Sequence, residues 1–343
     1  MSNKFNVLIN GASGFVGLEL VKILSNHKYI NLKYLCSRSS IGKSVNHFLD
    51  QKIRKKLPLI SDINKVDFED VDIVFSALPH GQAQDLLNKL GHSKIFIDLS
   101  ADFRFSNSDT FAKWYGFEHK SKAYQKFAVY GLSEFAKDAI EKSNVIACPG
   151  CYPTSIQLPL VPLLLKKLIK TNKIIIDSKS GYSGAGKKVY DKKLYPNLKK
   201  NIAVYGVGKH RHMPEIDQGL KFFGKVKSKI QVEFTPHLIP TFRGMMSTIY
   251  VEAAKNSNVF KIYEFLKKFY KKSSFVRVLP KNVFPNTNNV MNNNFCDINV
   301  FSGRDSKQII IVSAIDNLVK GAAGQAVQNM NLRIGVDEIV GLK

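Results

Sequence analysis

The stretch FNVLIN (Phe5–Asn10), running into GASGFVG (Gly11–Gly17), decides the fold. A short apolar run stops at a glycine-rich turn. The chain then resumes as Leu18–Leu24, with Leu20, Val21, Ile23 and Leu24 at helical spacing. Strand, tight turn and helix in that order form a dinucleotide cradle: the glycines let backbone approach a pyrophosphate, and the helix start offers amide donors and positive potential. The GxxGxxG spacing is a variant of the usual fingerprint, and such a turn alone also serves as a plain reversal of the chain. The flanking strand and helix favour nucleotide binding.

The same pattern repeats outward. Strand-like runs at Leu32–Cys36, Val71–Ala77 and Ile95–Leu99 each end in polar or flexible residues, with helical segments between them. Alternating strands and helices predict an α/β, Rossmann-type doubly wound parallel sheet with ligands at the strands' C-terminal ends. After the second strand an NAD enzyme places an acid for the ribose hydroxyls. This chain has Ser37-Arg38-Ser39-Ser40 with Lys43 nearby, and a guanidinium with hydroxyls suits a 2′-phosphate, so the expected cofactor is NADP(H). Beyond Cys151 longer β-type runs appear, at Lys173–Asp177, Gln231–Phe234, Ser247–Glu252, Cys296–Phe301 and Gln308–Ile315, with a helix at Val259–Tyr270. They predict an α+β domain over 151–316, following a nucleotide domain over 1–150 that a C-terminal helical segment, 317–343, completes.

Composition agrees with two ordinary globular domains: 343 residues, 44% hydrophobic and 23% charged. Four scattered cysteines do not make a disulfide framework, and the chain opens MSNK straight into a strand without a leader-like segment. The apolar stretch Leu158–Leu165 contains Pro159 and Pro162 and is far short of the ~20 residues of a membrane span. A reducing cytoplasm and no membrane partner are expected. The net charge of +24 is spread in pairs such as Lys55-Lys56, Lys199-Lys200 and Lys271-Lys272 without a nucleic-acid-binding motif. It reads as a solvated surface that attracts anionic ligands, not as a nucleic-acid interface.

Three segments carry candidate chemistry. Cys148-Pro149-Gly150-Cys151-Tyr152-Pro153 follows a strand-like run, and Pro153 suits a first helical turn, placing Cys151 just before a helix start. That location favours thiolate and lowers the thiol pKa from roughly 8.5, while the helix amides suit an oxyanion. The Cys-x-x-Cys spacing also matches a redox pair, but without the small fold that usually surrounds one. His210-Arg211-His212-Met213-Pro214-Glu215 precedes a second helix; one of its histidines suits acid/base work, and no third ligand at a familiar spacing supports a metal. Gly181–Gly186 is an amide-rich turn able to approach a phosphate or a nicotinamide.

Together these segments resemble the N-acetyl-γ-glutamyl-phosphate reductases of the aspartate-semialdehyde dehydrogenase superfamily, which serve arginine biosynthesis. The resemblance runs nearly end to end, through GASGFVG at Gly11, SRSSIGK at Ser37, ALPHG at Ala77, DLSADFRF at Asp98 and WYGFEH at Trp114. It continues in VYGLSE at Val129, PGCYPTS at Pro149, SGYSGAGKK at Ser180, HRHMPEI at His210, FTPHLIPTFRG at Phe234 and DNLVKGAAGQAVQNMNL at Asp316. It implies a Cys151 nucleophile and an acid/base histidine, His212 or His210, with His212 favoured. Gly11, Ser13, Gly14 and Gly17 would hold NADP(H), with Ser37 and Arg38 at its 2′-phosphate and Ser183, Gly184, Asn317 and Gly321 on the nicotinamide side. Arg104, Arg211 and Glu215 are the implied substrate contacts, and no metal is implied. Cys148 stands where the family usually has asparagine. The implied reaction takes N-acetyl-γ-glutamyl phosphate to the 5-semialdehyde and phosphate through a Cys151 thioester, in a homo-oligomer (dimer or tetramer) whose second domain also dimerises. The same chemistry on an aspartyl or aminoadipyl phosphate is the alternative.

Overall fold

The computed structural model describes residues 4–187 and 197–342. Lys188, which closes the segment begun at Ser180, lies outside the described residues, as do residues 1–3 and 343 of the expected domain bounds. The described residues up to Pro149, with those from Ala322 on, form one compact unit, and Gly150–Gly321 forms the other.

The first unit holds strands β1 (Phe5–Asn10), β2 (Ile30–Cys36), β3 (Ile60–Ser61), β4 (Ile73–Ser76), β5 (Ile95–Asp98), β6 (Val129–Tyr130) and β7 (Val145–Ala147). They pair in the order β3-β2-β1-β4-β5-β7-β6, every neighbouring pair parallel. Runs such as Ile73–Ser76 and Val145–Ala147 are buried at every residue, as a sheet covered on both faces requires. The chain leaves β1 toward β2 and β3, then returns to β4 on the other side, so the topological switch lies between β1 and β4. Gly11 occupies it with φ +97°, and a β-carbon there would stand 2.3 Å from the Ala77 carbonyl oxygen. At Gly17 a β-carbon would meet the Gly11 carbonyl oxygen at 2.1 Å, so the helix Phe15–Ser25 can close on the turn only through glycine.

The C-terminal helix Gly324–Arg333 packs on helices Phe15–Ser25 and Ser133–Ile140 and on β5. It is rich in amides yet buried from Gly324 to Leu332, because its polar side chains find partners. Asn329 donates to the Gly131 carbonyl (2.8 Å) and accepts from Ser133 Oγ (2.6 Å), and Asn331 Oδ1 pairs with His27 Nε2 (2.9 Å). The segment expected as one helix from Asn317 begins instead as a π turn over Val319–Ala323. The Gly321 amide reaches back to the Asp316 carbonyl (2.9 Å), which widens the turn. Residues 317–321 and Gly150 therefore belong to the second unit, which runs past the 151–316 bounds read from sequence.

The second unit holds β8 (Ile174–Gly181), β9 (Ala203–Val204), β10 (Val232–Ile239), β11 (Met245–Glu252), β12 (Val276–Val278), β13 (Cys296–Ser302) and β14 (Gln308–Ile315) in one mixed sheet, order β12-β13-β14-β11-β8-β10-β9. At its centre runs the helix Cys151–Leu165, buried from Tyr152 to Leu164 and packed on β11, β14 and the helices Met213–Phe223 and Val259–Phe269. A helix that is apolar nearly all round must be a core helix, and this one begins at Cys151. Cys151 is thus the first helical residue, with Gly150 as N-cap; sequence had placed it just before the start.

Gly17→Ala is expected to destabilise the protein by about 1–3 kcal/mol, as overpacking against backbone does. Gly14→Ala, whose β-carbon meets only the Gly11 carbonyl oxygen, at 3.4 Å, should do markedly less. Urea unfolding followed by circular dichroism compares them; equal losses would contradict the packing account.

Candidate active site

In the first unit the glycine turn is anchored by the Gly11 and Ala12 amides, which both donate to the Cys36 carbonyl (2.8 and 2.9 Å). Ser13 and Ser37 share a 2.6 Å hydroxyl contact, so the first turn and the end of β2 are held together. Arg38 follows on an exposed loop. Gly11 and Gly17 are required by the protein's own packing, whereas Gly14 has almost nothing of the protein against it, and a ligand can approach backbone there. These residues fit a dinucleotide.

Arg104, expected at the substrate phosphate, is buried in this unit. Its Nε donates to the Cys148 carbonyl (2.7 Å) and its Nη2 to the Leu99 carbonyl (3.2 Å). The neighbouring Asp98 carboxyl is pushed up to about 7 by burial and then by Asp102, while Arg104 pulls the other way. The guanidinium braces the ends of β5 and β7. Cys148 is buried beside Asn329 Nδ2 (3.7 Å), and burial pushes its thiol up to about 12, which makes it inert at neutral pH.

In the second unit two helix starts meet. Cys151 is half-buried at the first position of its helix. The preceding Gly150 amide donates to Glu215 Oε1 at 2.7 Å, from the first turn of the helix Met213–Phe223. Glu215 is fully buried, so this side chain, expected at the substrate, grips the N-cap of the cysteine helix. His212 occupies the N-cap position of the helix that carries Glu215, and its Nε2 stands 2.5 Å from where a Gly150 β-carbon would be. The imidazole therefore lies flush on the backbone next to Cys151, and only glycine permits it.

His210 takes a different place. Its ring is boxed by Tyr152, Tyr205, Phe234 and His212, with centroids 5.4, 5.3, 5.5 and 4.9 Å away. Its Nδ1 accepts the His212 amide at 3.1 Å. Desolvation, then the adjacent Arg211 charge, lowers its pKa to about 4, so it stays neutral and shapes the loop. Arg211 is exposed. Sequence reasoning missed the aromatic walls of this box; the tyrosine directly after the cysteine was the available signal.

Asn317 and Gly321 lie on the turn that follows β14, and Ser183 and Gly184 on the turn that follows β8. Asn317 Nδ2 donates to Ser183 Oγ (2.9 Å), a Gly184 β-carbon would stand 2.8 Å from Ser180 Oγ and 3.7 Å from the Asn317 amide nitrogen, and a Gly321 β-carbon would stand 2.7 Å from Cys151 Cβ. The expected loop at Gly181–Gly186 is a short 3₁₀ turn, Tyr182–Ala185. Among the described residues, no helix is long and apolar enough to cross a membrane.

Residues 6–143 match the family model of the semialdehyde dehydrogenase NAD binding domain, and residues 151–317 that of the semialdehyde dehydrogenase dimerisation domain. The chain is similar to a probable N-acetyl-γ-glutamyl-phosphate reductase, chloroplastic, of Arabidopsis thaliana, at 46% identity with 97% of this chain and 82% of that protein covered. It is 44% identical to the N-acetyl-γ-glutamyl-phosphate reductase of Ehrlichia ruminantium (strain Gardel), covering 100% of this chain and 98% of that one. Its fold is similar to that of aspartate semialdehyde dehydrogenase II of Vibrio cholerae, solved with ASA: TM-score 0.75 at 19% identity, covering 97% and 99% of the two chains.

The neutral, boxed state of His210 has a pH consequence. The unfolded chain takes up this proton near 6.5, and the folded one only near 4. Stability from this group is complete above pH 6.5 and declines as pH falls toward 4, by at most about 3 kcal/mol. Urea unfolding at stepped pH should therefore show a shallower acid decline for His210→Gln than for wild type; parallel curves would contradict the assignment.

Proposed function

Because the chain belongs to the N-acetyl-γ-glutamyl-phosphate reductase family, we propose that it reduces N-acetyl-γ-glutamyl phosphate to N-acetylglutamate 5-semialdehyde, with Cys151 as nucleophile and His212 as acid/base. The observation that carries the residue assignment is the junction of the two helix starts, where the His212 ring lies on the Gly150 backbone beside Cys151.

A helix start stabilises negative charge, so Cys151 is set up to react as thiolate. Its sulfur forms a bond to the acyl carbon, the carbon–oxygen bond to phosphate breaks, and phosphate leaves with the electron pair. Amides of the first helical turn suit the transient oxyanion. Bound NADPH supplies the hydride that brings the thioester to the aldehyde level. His212 holds a proton at Nε2 for the oxygen that gains charge, and takes it back as the carbonyl re-forms and the Cys151 thiolate departs. The covalent step splits one hard displacement into two easier ones. Glu215 acts here by fixing the Gly150 amide, and Arg104 by bracing the strand ends, so neither needs to touch substrate. Arg211, exposed and next to the imidazole, remains a candidate contact for the anionic acyl phosphate.

Gly11, Ser13, Gly14 and Gly17 would hold the pyrophosphate, Ser37 and Arg38 the 2′-phosphate, and Ser183, Gly184, Asn317 and Gly321 the nicotinamide side. The match of residues 151–317 to a dimerisation domain supports a homo-oligomer. Free-thiol chemistry at Cys151 supports work in a reducing compartment such as the cytoplasm, and the lysine pairs, scattered without a nucleic-acid-binding motif, support a chain with no nucleic-acid partner.

Assayed in reverse, the enzyme should reduce NADP in the presence of N-acetylglutamate 5-semialdehyde and phosphate. Cys151→Ser should remove the activity, and His212→Asn should lower kcat about 100- to 10,000-fold. A preference for aspartate or aminoadipate semialdehyde in parallel assays would overturn the substrate assignment, and an active Cys151→Ser enzyme the mechanism. Arg38→Gln should raise KM for NADP about tenfold or more while leaving that for NAD nearly unchanged; equal effects on both would remove Arg38 from the 2′-phosphate.

A further inference from the structure

Cys151 has a second backbone neighbour besides Gly150. On the Gly321 side a β-carbon would stand 2.7 Å from Cys151 Cβ and 3.2 Å from Cys151 Cα, so the turn from Asp316 to Gly321 forms a wall against the nucleophile. The wall has no side chain at the point of contact, and its placement rests on whatever fixes the turn.

That anchor is Asp316. Its side chain is fully buried, and both carboxylate oxygens are engaged. Oδ1 accepts the amides of Leu318 (2.8 Å) and Val319 (3.2 Å), and Oδ2 accepts the Asn292 amide (2.8 Å) and Arg243 Nη1 (3.1 Å). The Asp316 carbonyl receives the Gly321 amide, closing the π turn. Arg243 also donates to Asn292 Oδ1 (2.5 Å) and lies over the Phe242 ring (5.9 Å). The next residue, Gly244, donates its amide to Asn317 Oδ1 at 2.9 Å. One carboxylate thus joins two other chain segments, at Asn292 and Arg243, to the wall behind Cys151, and the proposed chemistry uses neither Asp316 nor Arg243.

We propose that Asp316, held by Arg243, is a positioning residue for the Cys151 sulfur, acting through the Gly321 backbone. The inference rests on the reading of Cys151 as nucleophile. A displacement of about 1 Å at a reacting atom costs on the order of 100-fold in rate, so a wall in direct contact with Cys151 governs the chemical step more than substrate affinity. Asp316→Asn keeps shape and size but turns an amide group on Arg243 and the Asn292 amide, which are donors. Arg243→Lys keeps charge and loses the planar fork. Gly321→Ala leaves the ion pair intact and pushes on Cys151 directly.

The test compares these three variants with wild type and with Tyr270→Phe. The control removes a buried hydrogen bond from Tyr270 Oη to the Leu158 carbonyl, in the middle of the same cysteine helix. Thermal midpoints, kcat, KM for the acyl phosphate, and the pH profile of Cys151 alkylation by iodoacetamide, read by peptide mass spectrometry, are measured for each. Asp316→Asn and Gly321→Ala should each lower kcat about 100-fold with KM within about threefold, and shift the Cys151 alkylation profile. Arg243→Lys should do the same more weakly. Tyr270→Phe should lower the thermal midpoint and leave the alkylation profile in place. A folded Asp316→Asn protein with the wild-type alkylation profile overturns the proposal. So does a set of variants whose alkylation and kcat track thermal midpoint alone, control included. Should Asp316→Asn not fold, Gly321→Ala and Arg243→Lys decide by the same two readouts. Alkylation needs neither substrate nor cofactor. An inactive wild type whose Cys151 is alkylated therefore counts against the reductase reading, and an unchanged profile against this one.

Discussion

A single backbone amide, that of Gly150, given to the buried side chain of Glu215, is the contact on which the junction of two helix starts in the second unit depends. A hydrogen bond out of reach of water is costly to leave half-made, because the group left unpaired keeps its full desolvation penalty. It ties the start of one helix to the first turn of another. On the first start sits Cys151 and on the second His212, and the missing side chain at position 150 lets the imidazole rest on the backbone. The proposed nucleophile and proton carrier are thereby held by main chain and packing, not by long flexible side chains.

The rest of the unit keeps that junction rigid. The cysteine helix is a core element, and its polar side chains are satisfied inside: Ser155 shares a 2.7 Å contact with Ser247, which shares another with Ser178, and Ser313 donates to the Ser155 carbonyl at 2.6 Å. Gln157 donates to the Glu215 carbonyl (3.0 Å), a second tie between the same two helices. His210 contributes by staying neutral, since only an unprotonated Nδ1 can accept the His212 amide. A histidine pair that looks equivalent in sequence thus divides into one ring that shapes the loop and one that lies beside the cysteine.

Much of this was legible in the chain. The strand–glycine–helix run at Phe5–Ser25 announced the parallel sheet, because Gly11 and Gly17 are glycines that the turn itself requires. The cysteine and histidine segments were visible through proline and glycine at helix starts, which constrain backbone locally. Long-range packing was not visible. Nothing near Glu215 in sequence tells that its carboxylate turns toward Gly150 and not toward solvent, and nothing near Arg104 tells that its guanidinium is spent on the carbonyls of Leu99 and Cys148. A conspicuous motif displays its charged residues, and only the fold shows which of them it engages itself. The π turn after Asp316 escaped for the same reason, since its geometry follows from a carboxylate held by Arg243 and Asn292, both distant in sequence.

Every step of the proposed reaction depends on Cys151 carrying the acyl group. Rapid mixing of the enzyme with N-acetyl-γ-glutamyl phosphate in the absence of NADPH, followed by acid quench and peptide mass spectrometry, tests it directly. A Cys151 thioester gives stoichiometric release of phosphate with an N-acetylglutamyl adduct on the Cys151 peptide, discharged when NADPH is added before the quench. Turnover with NADPH but no adduct on that peptide, or an adduct on another residue, would contradict it.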